Sequence, residues 1–147
     1  MNRNPEVAAA LARLLAESYT LYLKSHNFHW NVKGPHFHAL HLLFEEQYTE
    51  LATAVDTIAE RIRALGQRAP GSYAEFARLS AVKDAEGEPD AEAMLAELAA
   101  DHRTVAEQAD RVLRIAQEHH DEGTASLAGG RIEVHEKAVW MLSAHLG

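Results

Sequence analysis

Cysteine is absent from this chain of 147 residues. That single lack excludes disulfide frameworks, thiolate zinc sites, iron–sulfur clusters and cysteine nucleophiles together. It also suits contact with oxidants, because thiolates are easily oxidised. Positive charge is scarce, with 14 Lys and Arg against 22 Asp and Glu and a formal net charge of −8. A broad basic footprint for nucleic acid is therefore not indicated. The acidic balance is compatible with collecting cations and equally with staying soluble. Long apolar runs are missing too. The opening MNRNPEV has no signal-peptide core, and no stretch approaches membrane-spanning length. The expectation is a soluble, cytoplasmic protein with no membrane partner. No segment reads as a strand, a repeat or a low-complexity tract. One domain over residues 1–147 fits the length, since a domain of that size buries about 68–70% of its unfolded surface.

What is present is helical. Asn4 before Pro5 gives an amide N-cap followed by proline at the first helical position. Leu11, Leu14, Leu15 and Tyr22 then recur at helical spacing, which predicts a first helix to about Val32. Gly34-Pro35 breaks it. A second long helix is predicted over about 37–65, with Gly66 as its C-terminal cap. The connection 67–89 is rich in glycine, proline and polar residues and has room for a short helix at Tyr73–Leu79. Pro89-Asp90 opens a third long helix to about His119, carrying Met94, Leu95, Leu98, Val105, Val112 and Ile115. Gly123-Thr124 starts the last, ending near Leu146, with Gly129-Gly130 weakening its first turns. The expected fold is all-α, a four-helix bundle with a short extra helix in the long connection.

Ten histidines are unusual for this length, and the second long helix concentrates the chemistry. With His41 at zero, Glu45, Asp56 and Glu60 fall at about 40°, 60° and 100° on a helical wheel. Leu40, Leu43, Phe44, Leu51, Val55, Ile58, Ile62 and Leu65 occupy roughly 200–320°, and Glu46, Glu50, Thr53 and Thr57 the polar face between. The His/acid set thus lies on a flank, interleaved with Ala52 and Ala59, where another helix has room to approach. His41/Glu45 and Asp56/Glu60 are each four apart, so each pair can face one ion. Imidazole with carboxylate suits iron, manganese or zinc. Fifteen residues separate the two pairs, about 22 Å of helix at ~1.5 Å per residue, so one chain cannot join them. An antiparallel twofold pairing about Leu51 would, giving two identical sites per dimer. The bland alternative is a solvated face with Arg61 and Arg63 as ion-pair partners.

His29 ends the first helix on the face of Leu11, Leu15 and Tyr22, where a histidine is either a ligand or a core residue bonded to backbone. Trp30 is expected to plug the end of the bundle, and His26, His36 and His38 to be exposed loop histidines.

HNFHWNVKGPHFHALH (26–41), followed by FEEQYTELATAVDTIAERIRALG (44–66), resembles the Dps family, the miniferritins named as DNA-binding proteins from starved cells. The match is dense over Lys24–Gly66 and extends more loosely to AVWML (138–142). The specific combination is a histidine before Trp-Asn, a histidine twelve residues on, and D-x-x-x-E in DTIAER. The resemblance implies a ferritin-like bundle assembled as a hollow dodecamer that oxidises Fe(II), preferably with hydrogen peroxide, and stores the ferric product. Oxygen is the other oxidant. Iron is then substrate, held at a ferroxidase centre between twofold-related chains. His29 and His41 match the family's histidine ligands, Glu45 falls where the family has Asp or Glu, and Asp56 and Glu60 match the neighbour's ligands. Trp30 matches a tryptophan beside the centre, an electron donor that spares other targets. Removing peroxide and Fe(II) together would protect DNA.

Two departures accompany the match. Family members that bind DNA through tails have basic extensions; here only Arg3 precedes the first helix, so DNA binding is expected to be weak. The acids around the family's threefold pore, through which iron enters, align with Asp121, Ser126 and Gly129, with Glu122 or His120 as compensation. The rival readings are a nucleoid-binding stress protein with a secondary metal role, a scaffold with a dead site, and a zinc or manganese binder. His119 and His120 have no assigned part.

Overall fold

In the computed structural model, which describes residues 4–147, the chain forms five helices in the order α1 Pro5–Asn31, α2 Phe37–Ala64, α3 Tyr73–Leu79, α4 Ala91–Glu118 and α5 Glu122–Ala144. Arg3 lies outside the described residues. The fold is all-α, with the short α3 inside the long α2–α4 connection as the sequence predicts. α1 and α2 pack as one hairpin and α4 and α5 as another, joined chiefly where α1 meets α4; α3 lies against α1.

The helix ends follow from local chemistry. The Asn4 side chain accepts hydrogen bonds from the Glu6 and Val7 amides, satisfying donors that the first turn leaves open. Gly66, at φ 84°, ends α2. Its amide reaches the Arg63 carbonyl while the Gln67 amide reaches that of Ile62, the paired closure a left-handed glycine permits. Ser72 caps the start of α3: its hydroxyl accepts from the Glu75 amide and donates to the Glu75 carboxylate, which also accepts from the Gly71 amide. α5 begins one residue earlier than the sequence suggests, because Asp121 caps it. It runs unbroken through Gly129-Gly130, where packing outweighs glycine's poor helix propensity.

Leu11, Leu14, Leu21 and Phe28 of α1 meet Phe44, Leu51, Ile58 and Ile62 of α2, with Leu98 of α4 and Leu142 of α5, all within one core. This is the predicted stripe of α2, buried except for Val55, which is partly covered at its edge. Lys24 is buried among them, pairing with Glu97 and Asp101 of α4 at 2.7 and 2.8 Å. It also donates to the Lys83 carbonyl, so one ammonium ties α1, α4 and the α3–α4 loop. Among the described residues no helix is long and apolar enough to cross a membrane.

Candidate metal centre

The α1–α2 hairpin brings the last turn of α1 beside the first turns of α2. His29 there is 7% exposed, and its ring stacks on that of His41 with centroids 3.8 Å apart and planes within 13°. His29 donates from Nδ1 to the His41 carbonyl, and His41 from Nδ1 to the His29 carbonyl, each at 2.7 Å. A carbonyl can only accept, so each Nδ1 carries a proton, and it is Nε2 of each ring that is left to offer a lone pair to a metal. This is the outer-sphere arrangement that orients metal-binding imidazoles. Glu45, one turn beyond His41, brings its Oε1 to 3.9 Å from His29 Nε2. Ligand atoms of His29, His41 and Glu45 all lie within 4.8 Å of one another. Two aimed nitrogens and one half-exposed carboxylate make an open, incomplete site of borderline and hard donors.

Asp56 and Glu60 do not join that cluster. They are exposed on the same helix, about 22 Å further along it at ~1.5 Å per residue. Neither has a Lys or Arg partner among the described residues. Arg61 instead turns to Asp121 and Thr124, and Arg63 to the Gln67 carbonyl. The ion-pair alternative for this flank is therefore not realised within the chain. Beside Asp56 lies a groove of about 540 Å³ lined by Leu15 and Tyr19 of α1, Ala52, Val55 and Ala59 of α2, and Tyr73 and Phe76 of α3.

Several neighbours differ from expectation. Trp30 does not plug the bundle; it is 58% exposed. Its indole stacks on His26 at 3.9 Å, and no described ring contact joins it to His29 or His41. His26 is not a loop residue, because α1 runs past it to Asn31. It is half-buried, stacked on Tyr48 at 4.1 Å, with the Tyr22 and His29 rings about 6 Å away. Burial and then the nearby His29 charge hold the His26 imidazole below its usual range. His36 and His38 are exposed as expected, His36 being the N-cap position of α2 without a side-chain cap bond.

Asp121 is buried, not displayed. It accepts from the Thr124 amide and hydroxyl and from Arg61 at 2.8 Å. Burial pushes its carboxyl up, but Thr124 and Arg61 together outweigh that and hold it below the usual carboxylate range. Its charge is thus answered inside the chain, whereas Glu122 and Ser126 are exposed and Gly129 half-buried. His120 takes a left-handed backbone at φ 57°. His119 accepts from Asn4 at Nδ1, so its Nε2 carries the proton and meets Glu6 at 2.9 Å. Glu6, Glu118 and His119 cluster, yet the bonds from Asn4 and to Glu6 make His119 a clamp between the start of α1 and the end of α4.

The sequence reading overlooked His102 and His135. His102 falls on the α4 stripe between Leu98 and Val105, which was the available signal. Both rings are buried, 2.9 Å apart between their Nδ1 atoms. Arg131 donates to His135 Nε2 and pairs with Glu50 across the α2–α5 side. Arg131 can only donate, so His135 holds its proton on Nδ1 and gives it to His102 Nδ1. Both ring lone pairs are consumed, and the pair is a hydrogen-bond relay with none left for a metal. Burial, then the Arg131 charge, pulls His102 down to about 3. His135 is also held well below the usual range by burial, His102 and Arg131.

The ferritin-like domain matches residues 8–147. The chain is 39% identical over 143 residues to DNA protection during starvation protein 2 of Bacillus anthracis, spanning 97% of this chain and 98% of that one. The crystal structure of Dps from Staphylococcus aureus superposes with a TM-score of 0.95 at 35% identity, covering 100% of this chain and 99% of that chain. Dps from Vibrio cholerae O1, described as a member of a broad superfamily of ferritin-like diiron-carboxylate proteins, gives 0.94 at 34% identity, covering 99% and 91%. With a matching fold, nearly full coverage and identity of this order, the chain belongs to the Dps family of ferritin-like proteins.

Proposed function

We propose that the protein is a ferroxidase that oxidises Fe(II) and stores ferric mineral inside a shell of identical chains, a dodecamer by family resemblance. The observation that carries this reading is the His29–His41 pair. Both rings are locked by backbone carbonyls through Nδ1, which leaves both Nε2 lone pairs free, and ligand atoms of the two rings and of the Glu45 carboxylate lie within 4.8 Å of one another. Three ligands hold an ion weakly, and Asp56 and Glu60, two acids without a Lys or Arg partner among the described residues, lie beyond reach on the same helix. Ala52 and Ala59 keep the flank open for a second copy running antiparallel across Leu51, which would bring its Asp56 and Glu60 to His29, His41 and Glu45. Carboxylates favour Fe(III) over Fe(II), so the mixed set promotes oxidation, while its sparseness lets the product leave for mineral.

Peroxide accepts two electrons and two protons and yields two waters, each Fe(II) supplying one electron. Consuming peroxide and Fe(II) together removes the reagents of hydroxyl-radical chemistry, and DNA protection follows from that. Anaerobic loading of Fe(II), then addition of peroxide or oxygen, tests the reading through ferric absorbance and iron-to-oxidant stoichiometry. Fast ferric formation that disappears in His29→Ala/His41→Ala is expected. Equal rates in both proteins, or no ferric product above the protein-free background, would overturn it.

A further inference from the structure

A cavity of about 240 Å³ lies among α2, α4 and α5. Two of its lining side chains are polar and almost wholly inside the fold, His102 at 2% exposed and Gln47 at 9%. His102 Nε2 and both amide atoms of Gln47 have no hydrogen-bond partner among the described residues. Buried polar atoms are rarely left so, and these three belong to residues that line one space. The relay described above fixes what His102 offers. Arg131 donates to His135 Nε2 at 3.0 Å, and His135 donates to His102 Nδ1 at 2.9 Å. His102 Nε2 therefore carries a proton, polarised by the guanidinium two hydrogen bonds behind it.

The cavity thus presents two donors, His102 Nε2–H and the Gln47 amide nitrogen, and one acceptor, the Gln47 amide oxygen. Exposed Lys137 adds a cation at the mouth. Of the two acids there, Glu50 is paired with Arg131 and Glu46 is exposed to solvent. Leu43, Val134 and Met141 form apolar wall. Water suits this space poorly, because one molecule takes only about 30 Å³ in the liquid and needs polar partners on several sides. We propose that the cavity binds a short 2-hydroxycarboxylate with an aliphatic tail. Its carboxylate accepts from His102 Nε2 and Gln47 Nε2, and its hydroxyl donates to Gln47 Oε1. Its tail lies on Leu43, Val134 and Met141. An anionic acceptor suits the polarised donor, and Lys137 complements the charge. This site shares no residue with the His29, His41 and Glu45 cluster.

The test uses the full chain in its native assembly, stripped of metal by dialysis, with isotope-labelled methionine methyls read by magnetic resonance. The probe is 2-hydroxybutyrate, with sodium chloride as the ionic-strength control. Met141 lines the cavity and Met94 does not, so a saturable shift of the Met141 methyl alone is expected. Gln47→Leu keeps the bulk and removes both amide atoms, so the variant is expected to fold and to bind about tenfold more weakly. Butyrate, which lacks the hydroxyl, and 2-hydroxybutyramide, which lacks the charge, are each expected to bind about tenfold more weakly to the wild type. No saturable Met141 shift at about 100 mM probe, far above a millimolar dissociation constant, would mean that the cavity holds solvent only and would overturn the proposal. Equal binding by Gln47→Leu, or equal binding of butyrate, would overturn it too. None of these readouts involves iron, so the ferroxidase reading stands or falls separately.

Discussion

His29 and His41 each hold the other's backbone, ring Nδ1 to carbonyl, at 2.7 Å in both directions. One pair of side chains thus fastens the α1–α2 hairpin and aims both ligand nitrogens. Stability and metal affinity are consequently coupled. Replacing His29 by Ala is expected to cost about 1–3 kcal/mol in denaturant unfolding, the usual range for breaking a buried hydrogen bond. Zn(II) or Co(II), which peroxide does not oxidise readily, is expected to raise the melting temperature of the wild type. A cation at a hundred times its dissociation constant contributes about 2.7 kcal/mol. Chelator is expected to reverse that gain, and His29→Ala/His41→Ala to show none. A shift of equal size in the double variant would place the bound cation elsewhere.

The geometry of α2 sets a complementation test. Shells of His29→Ala/His41→Ala and shells of Asp56→Ala/Glu60→Ala are each expected to be inactive. A mixed dimer has one site lacking every altered ligand and one site with all of them. Half of randomly paired dimers are mixed, so co-assembly is expected to restore up to about a quarter of wild-type ferric absorbance. Mixed shells, verified by mass, that stay as inactive as their parents would refute the shared site.

The buried relay makes stability depend on pH with a defined sign. His102 is held near 3 when folded, against an ordinary imidazole value of 6.5. Between those values the unfolded chain binds a proton that the folded chain refuses. Stability is therefore full above the unfolded value and falls as pH drops below it, by at most about 1.4 kcal/mol per pH unit for each such ring. His135 acts in the same direction. His102→Gln is expected to flatten the denaturation midpoint against pH between 6.5 and about 5, above the carboxylate range. An unchanged slope would mean that His102 is charged in the fold.

Asp121 and Glu122 are expected to separate structure from transport. Asp121→Ala removes the α5 cap and the Arg61 partner, and loss of a cap alone costs about 0.5–2 kcal/mol. Glu122→Gln leaves those bonds in place and is expected to slow iron uptake without lowering the unfolding midpoint, by weakening attraction of cations to the surface. Stopped-flow uptake and calorimetry on both variants decide it; slower uptake in Asp121→Ala alone would return the pore role to Asp121.

Weak DNA binding is expected at physiological salt, because phosphate neutralisation drives such binding and the chain carries −8 net charge. A gel shift in chelator, which removes bridging cations, is the measurement. Tight complexes with ordinary salt dependence would contradict it.

The fold was legible where its causes are local. Pro5 after Asn4, Gly66 with its positive φ, and the Tyr73–Leu79 turn within a polar connection each carry their signal within a few residues. The His41/Glu45 flank was legible because helical periodicity fixes which side chains share a face. Contacts made across long stretches of sequence left no such trace. Asp121 reads as a free acid until Arg61, sixty residues earlier, folds onto it. His102 and His135 are thirty-three residues apart, and nothing in either segment names the other. Trp30 misled for a related reason: aromatic bulk suggests burial, but its position on α1 faces outward and His26 supplies its packing.

The exposure of Trp30 also bears on how the molecule can be watched. The chain has two tryptophans, and both stand mostly in solvent, Trp30 at 58% and Trp140 at 67%. Indole emission shifts to the blue when solvent is excluded, and neither ring is covered by folding alone. Intrinsic fluorescence of this protein is therefore a poor folding gauge, and a blue shift in it would report another chain covering one of these rings. A dilution series followed by emission wavelength and circular dichroism together would separate the two events.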